Sequence, residues 1–114
     1  MKKLVLHLQQ EQPEAVSGAL RMISNFTDMA SAGQYQAVLL VTGAAVKQFQ
    51  SGSPLFDAII QLANKAQVTI KLCHNALRQH DIDEKSLNSK FEIVPAGIYE
   101  LVCLQQAGYA YVKA

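Results

Sequence analysis

The stretch Ala37-Val38-Leu39-Leu40-Val41 decides the fold of this chain, because it forms a continuous apolar run between Tyr35 and Thr42. A strand with solvent on one face alternates apolar and polar residues, whereas a strand covered on both faces of a parallel sheet is apolar throughout. The run therefore predicts a central strand from Tyr35 to Thr42 in a parallel sheet. We expect the other elements to be arranged around it.

Apolar runs and helical patterns alternate along the rest of the chain. Four more runs are typical of strands: Leu4–Leu8, Val68–Leu72, Phe91–Val94 and Tyr109–Val112. Four stretches are typical of helices: Pro13–Met29, the stretch from Pro54 to Ala63 with Ser53 as its cap, Cys73–His80, and the stretch after Gly97 with an apolar stripe of Ile98, Leu101 and Val102. This alternation indicates β-α-β units. It predicts an α/β fold with a five-stranded parallel sheet, in one domain over residues 1–114.

Charge and composition exclude several classes of partner. Ten basic and nine acidic residues give a formal charge of +1, and the basic residues are spread along the chain, which argues against nucleic acid and anionic membranes as partners. The apolar run after Met1 is ended by His7, short of the ~7 residues that a signal peptide needs, and no run approaches the ~18 residues of a membrane helix. We therefore expect a soluble, cytoplasmic protein.

Cofactor and metal motifs are also missing from the sequence. It contains no glycine-rich dinucleotide or nucleotide-triphosphate motif and no serine-hydrolase motif. Its three histidines are far apart, and Cys73 and Cys103 fit neither a zinc spacing nor a Cys-x-x-Cys redox motif. We expect no metal and no cofactor, and two free thiols in a reducing compartment.

Cys73 is the residue best placed for chemistry, because it follows the predicted strand Val68–Leu72 and begins the next predicted helix. Open α/β sheets bind their ligands at the carboxyl ends of their strands. The free N–H groups at a helix start favour a thiolate over a thiol. The alternative is a buried cysteine that acts as a small hydrophobic residue.

Three turns should converge near this thiol, because each follows a predicted parallel strand at the same edge of the sheet. They are Thr42-Gly43-Ala44, Cys73-His74-Asn75 and Pro95-Ala96-Gly97. Their small residues leave room for a small group above Cys73, and their backbone N–H groups suit an anionic sulfur species. The alternative is that glycine and proline only shape the turns.

Four further residues have competing interpretations. A solvent-facing His74 is favoured over a catalytic Cys-His pair, because adjacent side chains diverge in direction. Asn75 either caps the helix or lines the pocket. Cys103 lies beside the apolar stripe of the last helix, which favours a structural role. His7 ends the first strand and points either into the same crevice or across an interface.

Three segments resemble the DsrE/DsrF-like family of small sulfur-metabolism proteins. They are residues 70–77 with Cys73-His74-Asn75-Ala76-Leu77, residues 91–101 with Val94-Pro95-Ala96-Gly97, and residues 105–113 with Gly108-Tyr109-Ala110-Tyr111. The resemblance covers essentially the whole chain. It implies a flavodoxin-resembling three-layer α/β/α sandwich, forming trimers or hexamers, in which a cysteine after the third strand carries persulfide sulfur between partner proteins. Cys73 occupies that position.

The helix after Cys73 departs from the pattern of the relay members, in which an Ala-rich, Arg-Arg-Gly type helix follows the cysteine. Here the chain reads Cys73-His74-Asn75-Ala76-Leu77-Arg78, which is similar to the family's branch of single proteins. The leading hypothesis is a homo-oligomeric sulfur carrier or sulfurtransferase without a cofactor, served by sulfur donor and acceptor proteins. Two alternatives remain open: a module that binds a small anion or nucleotide-like ligand, and a structural oligomer with a buried thiol.

Overall fold

Five parallel strands form one sheet in the computed structural model, which describes residues 1–30 and 33–114. The strands are β1 (Lys2–Leu8), β2 (Tyr35–Val41), β3 (Val68–Cys73), β4 (Glu92–Val94) and β5 (Ala110–Lys113). Their order across the sheet is β4-β3-β2-β1-β5, and every pairing is parallel. The predicted five-stranded parallel sheet is confirmed, with β2 in its centre.

In the described residues, four α-helices and two 3₁₀ helices connect the strands. The α-helices are α1 (Pro13–Met29), α2 (Phe56–Ala63), α3 (His74–Gln79) and α4 (Gly97–Gln106). The 3₁₀ helices span Gly43–Phe49 and Glu84–Ser86. None of the helices in the described part of the chain combines the length and the apolar character that crossing a membrane requires.

The predicted start of α2 is wrong by two residues. Residues 51–55 form a turn instead of the first turn of the helix, and within it the Ser53 hydroxyl accepts the Leu55 N–H at 3.2 Å and donates to Gln48 Oε1 at 2.9 Å. The helix begins only at Phe56, whose N–H bonds to the Ser53 carbonyl. A serine followed by proline predicted a cap here, but the preceding 3₁₀ helix engages the serine first.

Each central strand contributes to two cores because its side chains alternate between the two faces of the sheet. Leu39 and Val41 of β2 pack with residues of α1, α2 and α3, whereas Val38 and Leu40 pack with Leu101 of α4 and its neighbours. The prediction of a strand buried on both faces is therefore confirmed. The two helical layers are unequal, since α4 alone covers the second face.

A topological switch point lies between β3 and β4, because the helices that follow these two strands pack on opposite faces of the sheet. After β3 the chain turns to the first face, where Leu77 of α3 joins the larger core, and after β4 it turns to the second face, where Leu101 of α4 joins the smaller one. In open α/β sheets, a crevice forms where the connections from two neighbouring strands leave on opposite faces. Cys73 ends one of these two strands.

The predicted apolar stripe of α4 is confirmed at Leu101 and wrong at Ile98 and Val102. The side of the helix that faces the sheet contains residues spaced as a helix requires: Gly97, Glu100, Leu101 and Leu104. Ile98 is 74% exposed, and Val102 is also exposed. The pattern misled because Glu100, a charged residue, occupies a position in the stripe, where it forms an ion pair with Lys71 of β3 at 2.6 Å.

This ion pair yields a stability prediction. The side chains of Lys71 and Glu100 are 16% and 21% exposed, so Glu100→Ala leaves a largely desolvated ammonium without its nearest partner. We expect the free energy of unfolding in urea to fall by about 1–3 kcal/mol. Glu92→Ala is the matched control, because that carboxylate is 4.0 Å from the same Lys71 and 61% exposed. Its effect should stay within about 0.5 kcal/mol; equal losses would contradict the prediction.

Candidate functional site

Cys73 is the last residue of β3 and the residue that precedes α3. It is only 6% exposed. Its Sγ accepts a hydrogen bond from the backbone N–H of Gly97 at 3.4 Å. Gly97 is the first residue of α4, so the thiol faces the start of the helix that follows β4.

Two sources of N–H donors were expected at the thiol, the start of the helix after Cys73 and the turn at Gly97. The helix after Cys73, α3, spans only His74–Gln79, and none of its N–H groups donates a hydrogen bond to the Cys73 side chain. The N–H group that reaches the sulfur belongs instead to the ten-residue α4. An N–H group in the first turn of a helix has no partner inside that helix, so it is free to bond to the sulfur.

A concavity of about 240 Å³ opens beside the sulfur at the carboxyl edge of the sheet. Its lining residues are His7, Gln9, Thr42, Cys73, Asn75, Ala96, Gly97, Ile98 and Leu101. None of these nine is a lysine or an arginine, so backbone N–H groups and polar side chains must supply any contact with an anion. A larger concavity of about 450 Å³ near Lys47 and Ser53 includes neither a cysteine nor a histidine in its lining.

The structure brings together five of the sequence-predicted site residues and separates four. Thr42, Cys73, Asn75, Ala96 and Gly97 line the concavity. Gly43, Ala44, His74 and Pro95 are not among its lining residues. The turns after β2, β3 and β4 thus converge as expected, but each contributes only part of its length.

The separated residues have other structural roles. Gly43 adopts a left-handed φ of 58° where β2 passes into the first 3₁₀ helix, so it shapes that turn. Pro95 is exposed. His74 directs Nδ1 to the carboxylate of Glu84 in the second 3₁₀ helix, at a partly exposed position. The interpretation of His74 as a residue facing away from Cys73 agrees with this contact.

Cys103 does not have the packed position that its place in α4 suggested. It is an exposed free cysteine, because the side of α4 that faces the sheet is occupied by Leu101 and Leu104. Cys103 therefore does not pack in the core of this chain. Among the residues that the structure describes, no cluster of three or more histidine, cysteine or acidic side chains is arranged to hold a metal ion.

Gly97 is required by a close approach of backbone to side chain. A Cβ atom added there would lie 2.4 Å from Cγ2 of Thr42 and 3.7 Å from Cβ of Cys73. Real Cβ atoms do not make a contact as short as the first, so any larger residue would push α4 or Thr42 aside. The missing side chain is what lets the Gly97 N–H come within bonding distance of the sulfur.

For His7 the sequence left two orientations open, into the crevice or across an interface, and the structure shows the first. His7 is 7% exposed, and its ring is hydrogen-bonded at both nitrogens: Nε2 to Thr42 Oγ1 at 2.8 Å and Nδ1 to Tyr111 Oη at 3.0 Å. Burial, aided by the nearby charge of Lys113, lowers the pKa of His7 below its ordinary value. The imidazole is therefore neutral at neutral pH.

Comparisons with known proteins agree with this architecture. The sequence model described as the DsrE/DsrF-like family matches residues 3–114. A comparison with curated proteins found no match. A solved structure, that of the protein of unknown function MTH1491 from Methanobacterium thermoautotrophicum, is similar with a TM-score of 0.90 and 20% sequence identity over 100% of each chain. At that identity the likeness shows a shared fold.

The contact at Gly97 yields a second prediction. Gly97→Ala should lower the free energy of unfolding by about 1–3 kcal/mol, because the added methyl group overlaps Thr42 Cγ2. Combining it with Thr42→Ser, which removes that methyl group and keeps the hydroxyl, should recover most of the loss in urea unfolding.

Gly52→Ala is the matched control for this experiment. A Cβ added at Gly52 meets nothing within 4 Å, and the backbone there needs no left-handed conformation. Its stability should be unchanged or slightly raised. If Gly97→Ala is as mild as Gly52→Ala, the close approach is not a constraint.

Proposed function

The chain belongs to the DsrE/DsrF-like family, and on that premise we propose that it is a sulfur carrier whose Cys73 thiolate accepts sulfane sulfur as a persulfide. The family supports a role related to sulfur relay. The observation that supports a persulfide on Cys73 is the contact of its Sγ with the Gly97 N–H, at the edge of an open concavity. An N–H donor aimed at sulfur can hydrogen-bond to a thiolate, which is the nucleophilic form of a cysteine.

The proposed reaction consists of two exchanges at sulfur. The Cys73 thiolate attacks the outer sulfur of a donor persulfide, a new S–S bond forms to Sγ, and the donor's S–S bond breaks to release a thiolate. An acceptor thiolate then attacks the outer sulfur on Cys73 and regenerates the Cys73 thiolate. Sulfur is transferred without an external oxidant or reductant, so the cycle requires no cofactor.

Access to the sulfur limits the kind of donor and acceptor. Cys73 is buried apart from the side that lines the concavity, so the attacked sulfur must enter a space of about 240 Å³. A small persulfide fits this space, and so does a single persulfidated side chain that projects from a donor protein. The acceptor protein must likewise offer a thiol on a projecting segment.

We propose a cytoplasmic location as part of the same function. Cys73 and Cys103 are both free cysteines. A carrier thiol has to return to its reduced form after each transfer, and a reducing compartment maintains it in that form.

The burial of Cys73 also favours a second candidate, a module that binds a small anion or nucleotide-like ligand without covalent chemistry. The concavity offers the Gly97 N–H and the side chains of Thr42 and Asn75 as polar contacts. In that case Cys73 is only part of the wall. The two candidates differ in whether sulfur becomes covalently attached.

A homo-oligomer, a trimer or hexamer, is the third part of the proposal. Its support is the set of exposed large apolar side chains on α4 and β5: Ile98, Tyr99, Val102, Tyr111 and Val112. Apolar side chains grouped on neighbouring elements are typical of surfaces that bind another protein. Ile98 also lines the concavity, so this surface is adjacent to the site.

The carrier proposal predicts sulfur loading at one cysteine. After incubation with a persulfide donor, a Cys103→Ser variant should gain the mass of one sulfur atom, and dithiothreitol should remove it, as measured by intact mass spectrometry. The exposed Cys103 must be absent because it is itself a free thiol. The double variant Cys73→Ser with Cys103→Ser should gain nothing.

The Cys73→Ser variant is the control for unspecific loading. It keeps only the exposed Cys103, so its rate measures what any accessible thiol takes up. If Cys73 loads no faster than Cys103, or does not load, the carrier proposal fails. Thermal stabilisation by a small anion that persists in Cys73→Ala would then support the binding module.

The oligomer proposal predicts a change of size in solution. The wild-type chain should sediment as a trimer or hexamer, and Tyr99→Glu with Val102→Glu should shift it towards the monomer, because a buried unpaired charge is costly. Met29→Glu is the control, since Met29 is 87% exposed at the end of α1, away from this surface. A monomeric wild type in analytical ultracentrifugation would overturn the proposal.

A further inference from the structure

His7 is a buried polar residue that the proposed sulfur exchange does not use. It interrupts the otherwise apolar end of β1, where Leu6 and Leu8 on either side belong to the larger core. Its side chain projects to the opposite face and lines the same concavity as Cys73. A buried polar side chain with two bonded ring nitrogens has a defined orientation, because each lost hydrogen bond in such a site is costly.

The hydrogen bond from His7 determines how Thr42 is oriented. Thr42 has two branches at its Cβ, and the bond to His7 Nε2 directs its Oγ1 towards β1. Its other branch, Cγ2, must then point elsewhere, and it points at Gly97. One rotamer of Thr42 thus satisfies the imidazole and places a methyl group against the start of α4.

We propose that His7 is a positioning residue for Cys73. It acts through Thr42, whose methyl group packs against Gly97 and thereby holds the Gly97 N–H against the Cys73 sulfur. On the other side of the ring, Tyr111 Oη at 3.0 Å from Nδ1 fixes the imidazole from β5. The contacts therefore extend from the edge strand of the sheet, through β1 and β2, to the sulfur at the end of β3.

The charge state of the imidazole is consistent with positioning rather than with an ion pair. The groups that face His7 are Tyr111 and Lys113 from β5 and Thr42 from the turn after β2, and Cys73 at the end of β3 lines the same concavity. Burial and the Lys113 charge keep the ring neutral, so it offers one N–H donor and one acceptor nitrogen. The thiolate is then stabilised by the Gly97 N–H and receives no imidazolium charge.

Two amide substitutions separate the two hydrogen bonds of His7. The amide of Gln extends about as far as Nε2 of histidine, so His7→Gln can keep the bond to Thr42. The amide of Asn extends only about as far as Nδ1, so His7→Asn can keep the bond to Tyr111 and must lose the one to Thr42. Thr42→Val removes the same bond from the other side, with little change of shape.

The test is the rate at which iodoacetamide alkylates Cys73 as a function of pH, measured in the Cys103→Ser background. For His7→Asn and Thr42→Val we expect a rate at neutral pH lower by about threefold or more, with the midpoint of the pH profile moved upward. His7→Gln should stay within about twofold of the parent. Urea unfolding of each variant accompanies the profiles, since a purely structural role changes stability and leaves the midpoint unmoved.

Three results would overturn the proposal: profiles of His7→Asn and Thr42→Val that superimpose on the parent's, an equal shift in His7→Gln and His7→Asn, or a change in stability alone. If His7→Asn does not fold, Thr42→Val decides the matter. The positioning of Cys73 by His7 does not depend on the carrier function; it rests on that proposed function only for the purpose it serves in the cell. Shifted profiles in a protein that gains no sulfur from a persulfide donor would retain the positioning role and reject the carrier.

Discussion

The approach of Gly97 to Thr42 and Cys73 is the constraint on which the site depends. It joins the ends of β2, β3 and β4, because a residue with no side chain allows the first turn of α4 to lie directly against the other two. The result is a backbone N–H at 3.4 Å from Sγ. A larger residue at 97 would separate the thiol from that donor, so the geometry of the sulfur depends on a hydrogen atom in place of a methyl group.

The surroundings of the thiol are uncharged and mostly apolar, with a few polar groups among them. The nine residues that line the concavity include no lysine or arginine, and the one imidazole among them is kept neutral by burial. Negative charge at this sulfur would meet a hydrogen-bond donor, the Gly97 N–H, and no lysine or arginine among the lining residues.

The second face of the sheet explains why the site lies next to an apolar surface. Among the described helices, α4 is the one that covers this face, and it uses Glu100, Leu101 and Leu104 to contact the sheet. Other apolar residues of the helix, Ile98, Tyr99 and Val102, are left in solvent. The Lys71–Glu100 ion pair belongs to this sheet-facing side, where a charged side chain takes a position that an apolar residue usually holds.

The sequence by itself determined the elements of the fold and the position of the thiol. The apolar run of β2 predicted a strand buried on both faces. The apolar run before Cys73 predicted that this residue lies at the carboxyl edge of a parallel sheet. Both predictions follow from local pattern. Local pattern failed at α2, where the hydroxyl of Ser53 is engaged in a turn, and at α4, where Glu100 occupies the sheet-facing side.

The sequence predicted that the turn at Gly97 lies near Cys73, but only the tertiary structure decided which of its groups contacts the sulfur and which other residues meet there. The strand order places β4 beside β3, which brings Gly97 to a sulfur 24 positions earlier in the chain, and places β5 beside β1, which brings Tyr111 to His7. These contacts join residues far apart in sequence. No local pattern encodes them, because they depend on how strands are ordered and on which face each helix covers.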